Sequence, residues 1–148
     1  MRAVRWSGGV VQVLGSLLPG PGDNNEPRAV SGNGKVIVGT SVDGDLFIAF
    51  RWVEGRGMQA IETLLSNAGF NLPGWRIGSV AGVSRDGTVL TGFAGNRDNG
   101  TGSAWVARVP VSATKREWAD SGIDLSIGSE SDAHPARAEP TMSAPLQR

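Results

Sequence analysis

The chain has 148 residues and 15.4 kDa, with 39% hydrophobic, 19% charged, 22 glycines and no cysteine. The length fits one ordinary domain or part of a larger one, and the missing thiols exclude disulfides, thiolate metal sites and cysteine nucleophiles. Fourteen basic residues balance fourteen acidic ones, so no net field favours nucleic acid or an anionic membrane surface.

Taken along the chain, the N-terminus (Met1-Arg2-Ala3-Val4-Arg5-Trp6-Ser7-Gly8-Gly9) lacks the apolar run of a secretory signal peptide. No stretch approaches the roughly 18 apolar residues of a membrane span. At face value this places the chain in the cytoplasm. Yet the start falls inside a repeated motif, because Ala3-Val4-Arg5-Trp6 returns 46 residues later as Ala49-Phe50-Arg51-Trp52. A proline- and glycine-rich connection, Gly15 to Gly22, follows. Ser31-Gly32-Asn33-Gly34 reads as a turn leading into a strand from Lys35 to Thr40, and Asp43-Gly44 is a hairpin signal. Phe47 to Trp52 alternates as a strand and ends at a Gly55-Arg56-Gly57 turn.

One segment breaks the strand pattern. Between Gln59 and Ala68, the residues Ile61, Leu64, Leu65 and Ala68 fall at i, i+3, i+4 and i+7, one face of a helix, and Gly69 is its stop. Trp75 to Val80 reads as a strand. Ser84-Arg85-Asp86-Gly87 reads as a tight turn with positive φ at Asp-Gly. Thr88 to Phe93 is the best strand of the chain, β-branched and rich in apolar residues.

Self-similarity ties these elements together. Ala29 to Gly39 returns as Gly82 to Gly92 at an offset of 53, and Ala104-Trp105-Val106-Ala107-Arg108-Val109 opens a further unit 55 residues beyond Ala49. The second unit therefore carries seven extra residues between Trp52 and Ser84, to which the helix contributes. The division is residues 1–109 as repeat region, with a first unit at about 3–48, a second at 49–103 and the opening strand of a third at 104–109. Residues 110–148, with Pro110, Pro135, Pro140 and Pro145, read as a largely disordered tail with a short docking stretch around 115–127.

The expected fold class is all-β, mainly antiparallel: β-propeller-like blades from a repeat array, with one short helix inserted in the second repeat. Propellers use about 4–8 blades, so the expectation is a C-terminal piece of a longer array or a truncated reading frame. The strand at 104–109 either pairs back with Ala3 to Trp6 or leaves an open edge that invites self-association.

The motifs Ala-Phe-Arg-Trp-x-x-x-x-Gly-Met at 49–58 and Gly-Val-Ser-x-Asp-Gly-x-Val-Leu-x-Gly at 82–92 resemble the HAF family of bacterial extracellular repeats. The helical insert followed by Pro73-Gly74-Trp75, then Ala104 to Arg108, looks like that family's last repeat. The resemblance covers about residues 3–109, and the first unit departs from it with Gly32-Asn33-Gly34 in place of Asp-Gly. It implies a secreted or cell-surface protein of Gram-negative bacteria, often with an anchor or autotransporter barrel, and no catalytic residues to carry over.

The binding candidates are Trp52, Arg51, Trp75 and Trp105, with Trp6 and Arg5 as their first-unit counterparts. A sugar-stacking or protein-binding platform is the functional alternative; repetition at equivalent positions favours packing between units. Asp43-Gly44-Asp45 and Asp23-Asn24-Asn25-Glu26 offer oxygen ligands for calcium but lack a calcium-loop pattern, and turns use the same residues. Asn99-Gly100-Thr101 is a sequon that reads as a turn, and His134 has no second ligand near it in sequence. No nucleophile elbow, phosphate loop or zinc motif occurs. The sequence thus points to no catalytic group, metal or cofactor. It favours a non-catalytic extracellular repeat with surface glycan or protein as partner. The alternatives are a propeller-type carbohydrate hydrolase and a non-functional truncated gene product.

Overall fold

The computed structural model describes residues 1–18, 20, 24–111 and 125–127. Ten strands and one helix follow in chain order: β1 (Val4–Ser7), β2 (Val10–Val13), β3 (Asn24–Val30), β4 (Val36–Asp43), β5 (Leu46–Val53), β6 (Gly57–Ala60), α1 (Ile61–Asn67), β7 (Trp75–Val83), β8 (Val89–Asn96), β9 (Gly102–Arg108) and β10 (Leu125–Ile127). All pairing is antiparallel. Strands β1 and β2 form a hairpin, β3-β4-β5-β6 form a first four-stranded sheet, and β7-β8-β9-β10 form a second. The expected all-β, antiparallel class with one short helix is what the chain adopts.

The two sheets are built alike, residue against residue. Val36 opposes Val53 and Val38 opposes Arg51 in the first sheet. Val89 opposes Arg108 and Thr91 opposes Val106 in the second, at the offsets 53 and 55 seen in the sequence. The bulge between Pro27 and Ala29 in β3 recurs between Val80 and Gly82 in β7, which adds a further irregularity at Ile77 to Ser79. The hairpin follows the same plan. Arg5 opposes Gln12 and Trp6 opposes Val11, as Arg51 opposes Gln59 and Trp52 opposes Met58. Strands β1 and β2 are thus the counterpart of β5 and β6.

The sheets and the sequence period differ in phase. The sequence period starts at the β5-type strand, so each period straddles two sheets. Residues 104–109 do not begin a sheet of their own: β9 lies inside the second sheet, paired with β8 on one side and β10 on the other. Neither outcome expected for Ala104 to Val109 occurs: it does not pair with Ala3 to Trp6, because β1 pairs with β2, and it leaves no open edge, because β10 pairs along β9. Within the tail, residues 125–127 supply β10, inside the stretch expected to dock. The other tail residues beyond Val111, and the reading of them as disordered, lie outside the described residues.

The connecting turns are equally repetitive. In Ser31–Lys35, the Ser31 hydroxyl donates to Asn33 Oδ1 and accepts from the Val36 N–H, and the Lys35 N–H donates to Asn33 Oδ1. In Ser84–Thr88, Ser84, Asp86, Thr88 and Val89 repeat that set. Positive φ falls on Gly34 and Gly87 alone in these turns, at 70° and 80°. Asp86 and Asn33 therefore act through a side-chain acceptor that closes a local turn, and not by adopting positive φ themselves.

The helix is shorter than expected. Gln59 and Ala60 belong to β6, whose pairing with β5 outweighs their place in the helical period. Its C-terminus is a Schellman motif. The Phe70 N–H donates to the Leu65 carbonyl and the Gly69 N–H to the Ser66 carbonyl, with Gly69 at φ 91°. Ile61, Leu64 and Leu65 are buried, and Glu62 accepts a hydrogen bond from the Ile77 N–H, so α1 bridges the two sheets.

Each sheet has two working faces, set by strand alternation. One, here the leading face, carries Ile37, Phe50 and Trp52 in the first sheet and Leu90, Ala94, Trp105 and Ala107 in the second. The other, the trailing face, carries Val36, Val38, Ala49 and Val53 in the first sheet. The main core joins the trailing face of the first sheet to the leading face of the second, with α1 alongside. A smaller core joins Ala3 and Leu14, beside the hairpin, to the leading face of the first sheet. The order is hairpin, first sheet, second sheet, always trailing face on leading face. Backbone bonds stitch the layers: the Gly32 N–H donates to the Arg85 carbonyl and the Asn25 N–H to the Met1 carbonyl.

Candidate functional site

Three of the four residues singled out by sequence are buried. Arg51 is 1% exposed, Trp52 2% and Trp105 0%. Trp75 is half-buried against the main core. The side chains are not gathered at one site; each lies at a junction between layers.

Arg51 leaves the trailing face of the first sheet and reaches the end of β9. Its Nη1 donates to the carbonyls of Val109 at 3.1 Å and Pro110 at 3.0 Å. Among the described residues no carboxylate is one of its hydrogen-bond partners, and its Nε has no partner there. Burial, with Arg56 adding like-charge repulsion, lowers the Arg51 pKa to about 10. Arg5, its counterpart on the hairpin, makes the equivalent reach. It lies 4.9 Å over the Trp52 ring, donates to the Gly34 carbonyl and pairs with Glu54 at 2.7 Å. Glu54 stands in the first sheet where Val109 stands after the second. The Arg5 hydrogen bond and charge, helped by Lys35, hold the Glu54 carboxyl below its usual range.

The two aromatic positions are set by glycine. Gly39 faces Phe50 and Gly92 faces Trp105 across neighbouring strands. A Cβ on either glycine would sit 2.2 Å from a carbonyl oxygen of the adjacent strand, Glu26 in one sheet and Ser79 in the other. The Trp105 indole N–H donates to that same Ser79 carbonyl at 3.3 Å. These aromatics are thus positioned to fill the layers.

The solvent-facing counterpart is Trp6, 75% exposed on β1. It borders an open cleft of about 630 Å³ between the hairpin and the first sheet, lined also by Arg5, Arg28, Lys35, Ile37 and Glu54. Arg28 pairs with Glu26 at 2.7 Å. The exposed Trp6 thus stands at the border of the cleft beside a cationic rim, groups that stack on and hydrogen-bond a polar ligand. Exposure of Trp6 was not legible in sequence, since the repeat places it in register with the buried Trp52.

The calcium candidates separate. Asp43-Gly44-Asp45 forms the tip of the β4–β5 hairpin. Asn25 is buried and its Oδ1 accepts from the Ser41 hydroxyl, while Glu26 is taken by Arg28. Asp23 and His134 lie outside the described residues. Among the described residues, no group of three or more His, Asp or Glu is placed to hold a metal ion. Asn99 sits in the β8–β9 turn, where its Oδ1 accepts from the Thr101 N–H and hydroxyl. Among the described residues no helix is long and apolar enough to cross a membrane.

Comparisons of the chain with protein families, with curated proteins and with solved structures find no match.

Proposed function

We propose that the chain is a non-catalytic repeat module with a structural or adhesive role on a bacterial cell surface or outside the cell. The observation that carries this reading is the matched pair Arg5 and Arg51. Each leaves one layer from an equivalent position and fastens to the next, Arg5 to the Gly34 carbonyl and the Glu54 carboxylate, Arg51 to the carbonyls of Val109 and Pro110. The most conspicuous repeated side chains thus hold layers together, which is the work of a stacking module. On this reading the two four-stranded meanders are propeller-like blades, and the hairpin is the outer half of another. The HAF-like motifs at 49–58 and 82–92 support the extracellular placement. The ligand-facing surface is the Trp6 cleft, with surface glycan as the ligand class.

The test is a glycan array read alongside turnover of the same glycans. Binding that Trp6→Ala abolishes, with no release of reducing ends, supports the adhesive form. Reproducible cleavage of any polysaccharide overturns the reading in favour of a carbohydrate hydrolase.

A further inference from the structure

Stacking trailing face on leading face leaves one face of each kind uncovered among the described residues. At one end is the leading face of the hairpin, with Val4, Trp6, Val11 and Val13 all exposed. At the other is the trailing face of the second sheet, where Phe93 is 64% exposed and Val106 and Ala104 are also exposed. Contiguous apolar surface of this kind marks an interaction site. The hairpin set carries no charge, and the second sheet's trailing face carries one, Arg108, opposite Val89 at the end of β9. The position that holds Arg5 in the hairpin and Arg51 in the first sheet holds Val106 in the second.

We propose that a second copy of this chain covers these faces head to tail, the trailing face of its second sheet packing on the hairpin of the next copy. The two faces are the unmatched halves of a junction that the molecule already makes twice internally, between hairpin and first sheet and between first and second sheets. The contact continues the same stack with the same polarity. Because the surfaces differ, the interface is heterologous, and it grows into rings or filaments instead of stopping at a symmetric dimer. This proposal rests on the layer geometry, but it shares Trp6 with the glycan reading, because a copy seated on the hairpin covers that side chain. Phe93→Glu, which leaves Trp6 intact, separates the two, since it abolishes association and leaves glycan binding at Trp6 in place.

Sedimentation velocity of the full 148-residue chain over a concentration series tests it, with Trp6→Glu and Phe93→Glu variants. The wild-type mass rises with concentration beyond two copies. Each variant alone stays at one copy, because each has lost one of the two required faces. An equimolar mixture of the variants forms a dimer and stops there, since one intact face of each kind remains. A wild type that stays monomeric, a single variant that still associates, or a mixture that does not pair overturns the proposal. Val11→Glu and Val106→Glu repeat the design should either first variant lose its β-sheet circular dichroism.

Discussion

At the scale of single residues, the closest constraint is at Gly39 and Gly92, where a neighbouring carbonyl occupies the space of a Cβ. Overpacking costs about 1–3 kcal/mol and rises when backbone must move. Gly92→Ala is therefore expected to lower stability by about 3 kcal/mol in urea unfolding, and Gly39→Ala by a similar amount. Exposed Gly95, with open space around it and no positive φ, serves as the control for which little change is expected. Asp86 supplies a pH prediction. Hydrogen bonds from Ser84 and then Thr88 lower its pKa from 3.8 to about 2. Its folded pKa lies below the unfolded one, so its stabilisation is present above about pH 4 and is lost as pH falls toward 2. In the matching turn Asn33 accepts the corresponding bonds from the Ser31 hydroxyl and the Lys35 N–H without titrating, and only the Thr88 hydroxyl bonds have no counterpart there. Asp86→Asn should thus keep the turn and flatten the acid limb of a stability-against-pH curve between pH 4 and 2. An unchanged limb would show that other carboxylates set it.

At the scale of elements, α1 is held by its buried face and its C-terminal motif, since no side chain caps its N-terminus. Leu65 is fully buried and its carbonyl accepts the Schellman bond from Phe70. Leu65→Ala is expected to cost about 2–5 kcal/mol, and a loss below 1 kcal/mol would show that α1 contributes little to the core. The helical period was visible in the sequence, but its first turn was not placed correctly. A period describes which residues share a face, and it is blind to the strand partner that claims Gln59 and Ala60. The strands β4 and β8 were legible because β-branched runs between turn signals leave few other choices. The hairpin β1–β2 is legible only in part: Ala3 to Trp6 repeats the strand at Ala49 to Trp52 and Gly8-Gly9 suits a turn with positive φ at both residues, but the four-residue β2 carries little pattern of its own.

At the scale of the whole molecule, the main core spans both sheets and the helix, so the sheets have no separate cores to unfold independently. A single cooperative transition is expected, with tryptophan fluorescence and far-ultraviolet circular dichroism coinciding on a urea series. Two resolved transitions would contradict the shared core. Arg51 ties the first sheet to the backbone after β9 through charge-assisted hydrogen bonds. Its removal leaves two carbonyls without that donor. Arg51→Ala is expected to cost about 2–4 kcal/mol, combining those bonds with the lost packing. Arg51→Met, which keeps most of the volume and removes the buried charge, is expected to cost less.

The sequence by itself determined the repeat, the antiparallel β class, the turn chemistry and the presence of one helix, because these follow from local propensity and from spacing along the chain. The tertiary structure alone decided which strands share a sheet. The sequence period and the sheet are out of step by two strands, and only cross-strand hydrogen bonding shows that β9 lies inside the second sheet, between β8 and β10. It also decided the fate of the aromatics. Trp6 and Trp52 occupy the same place in the motif, yet one is exposed and the other buried. The difference is whether another layer packs against that face, and burial depends on what lies above a residue in space rather than on what stands beside it in the chain.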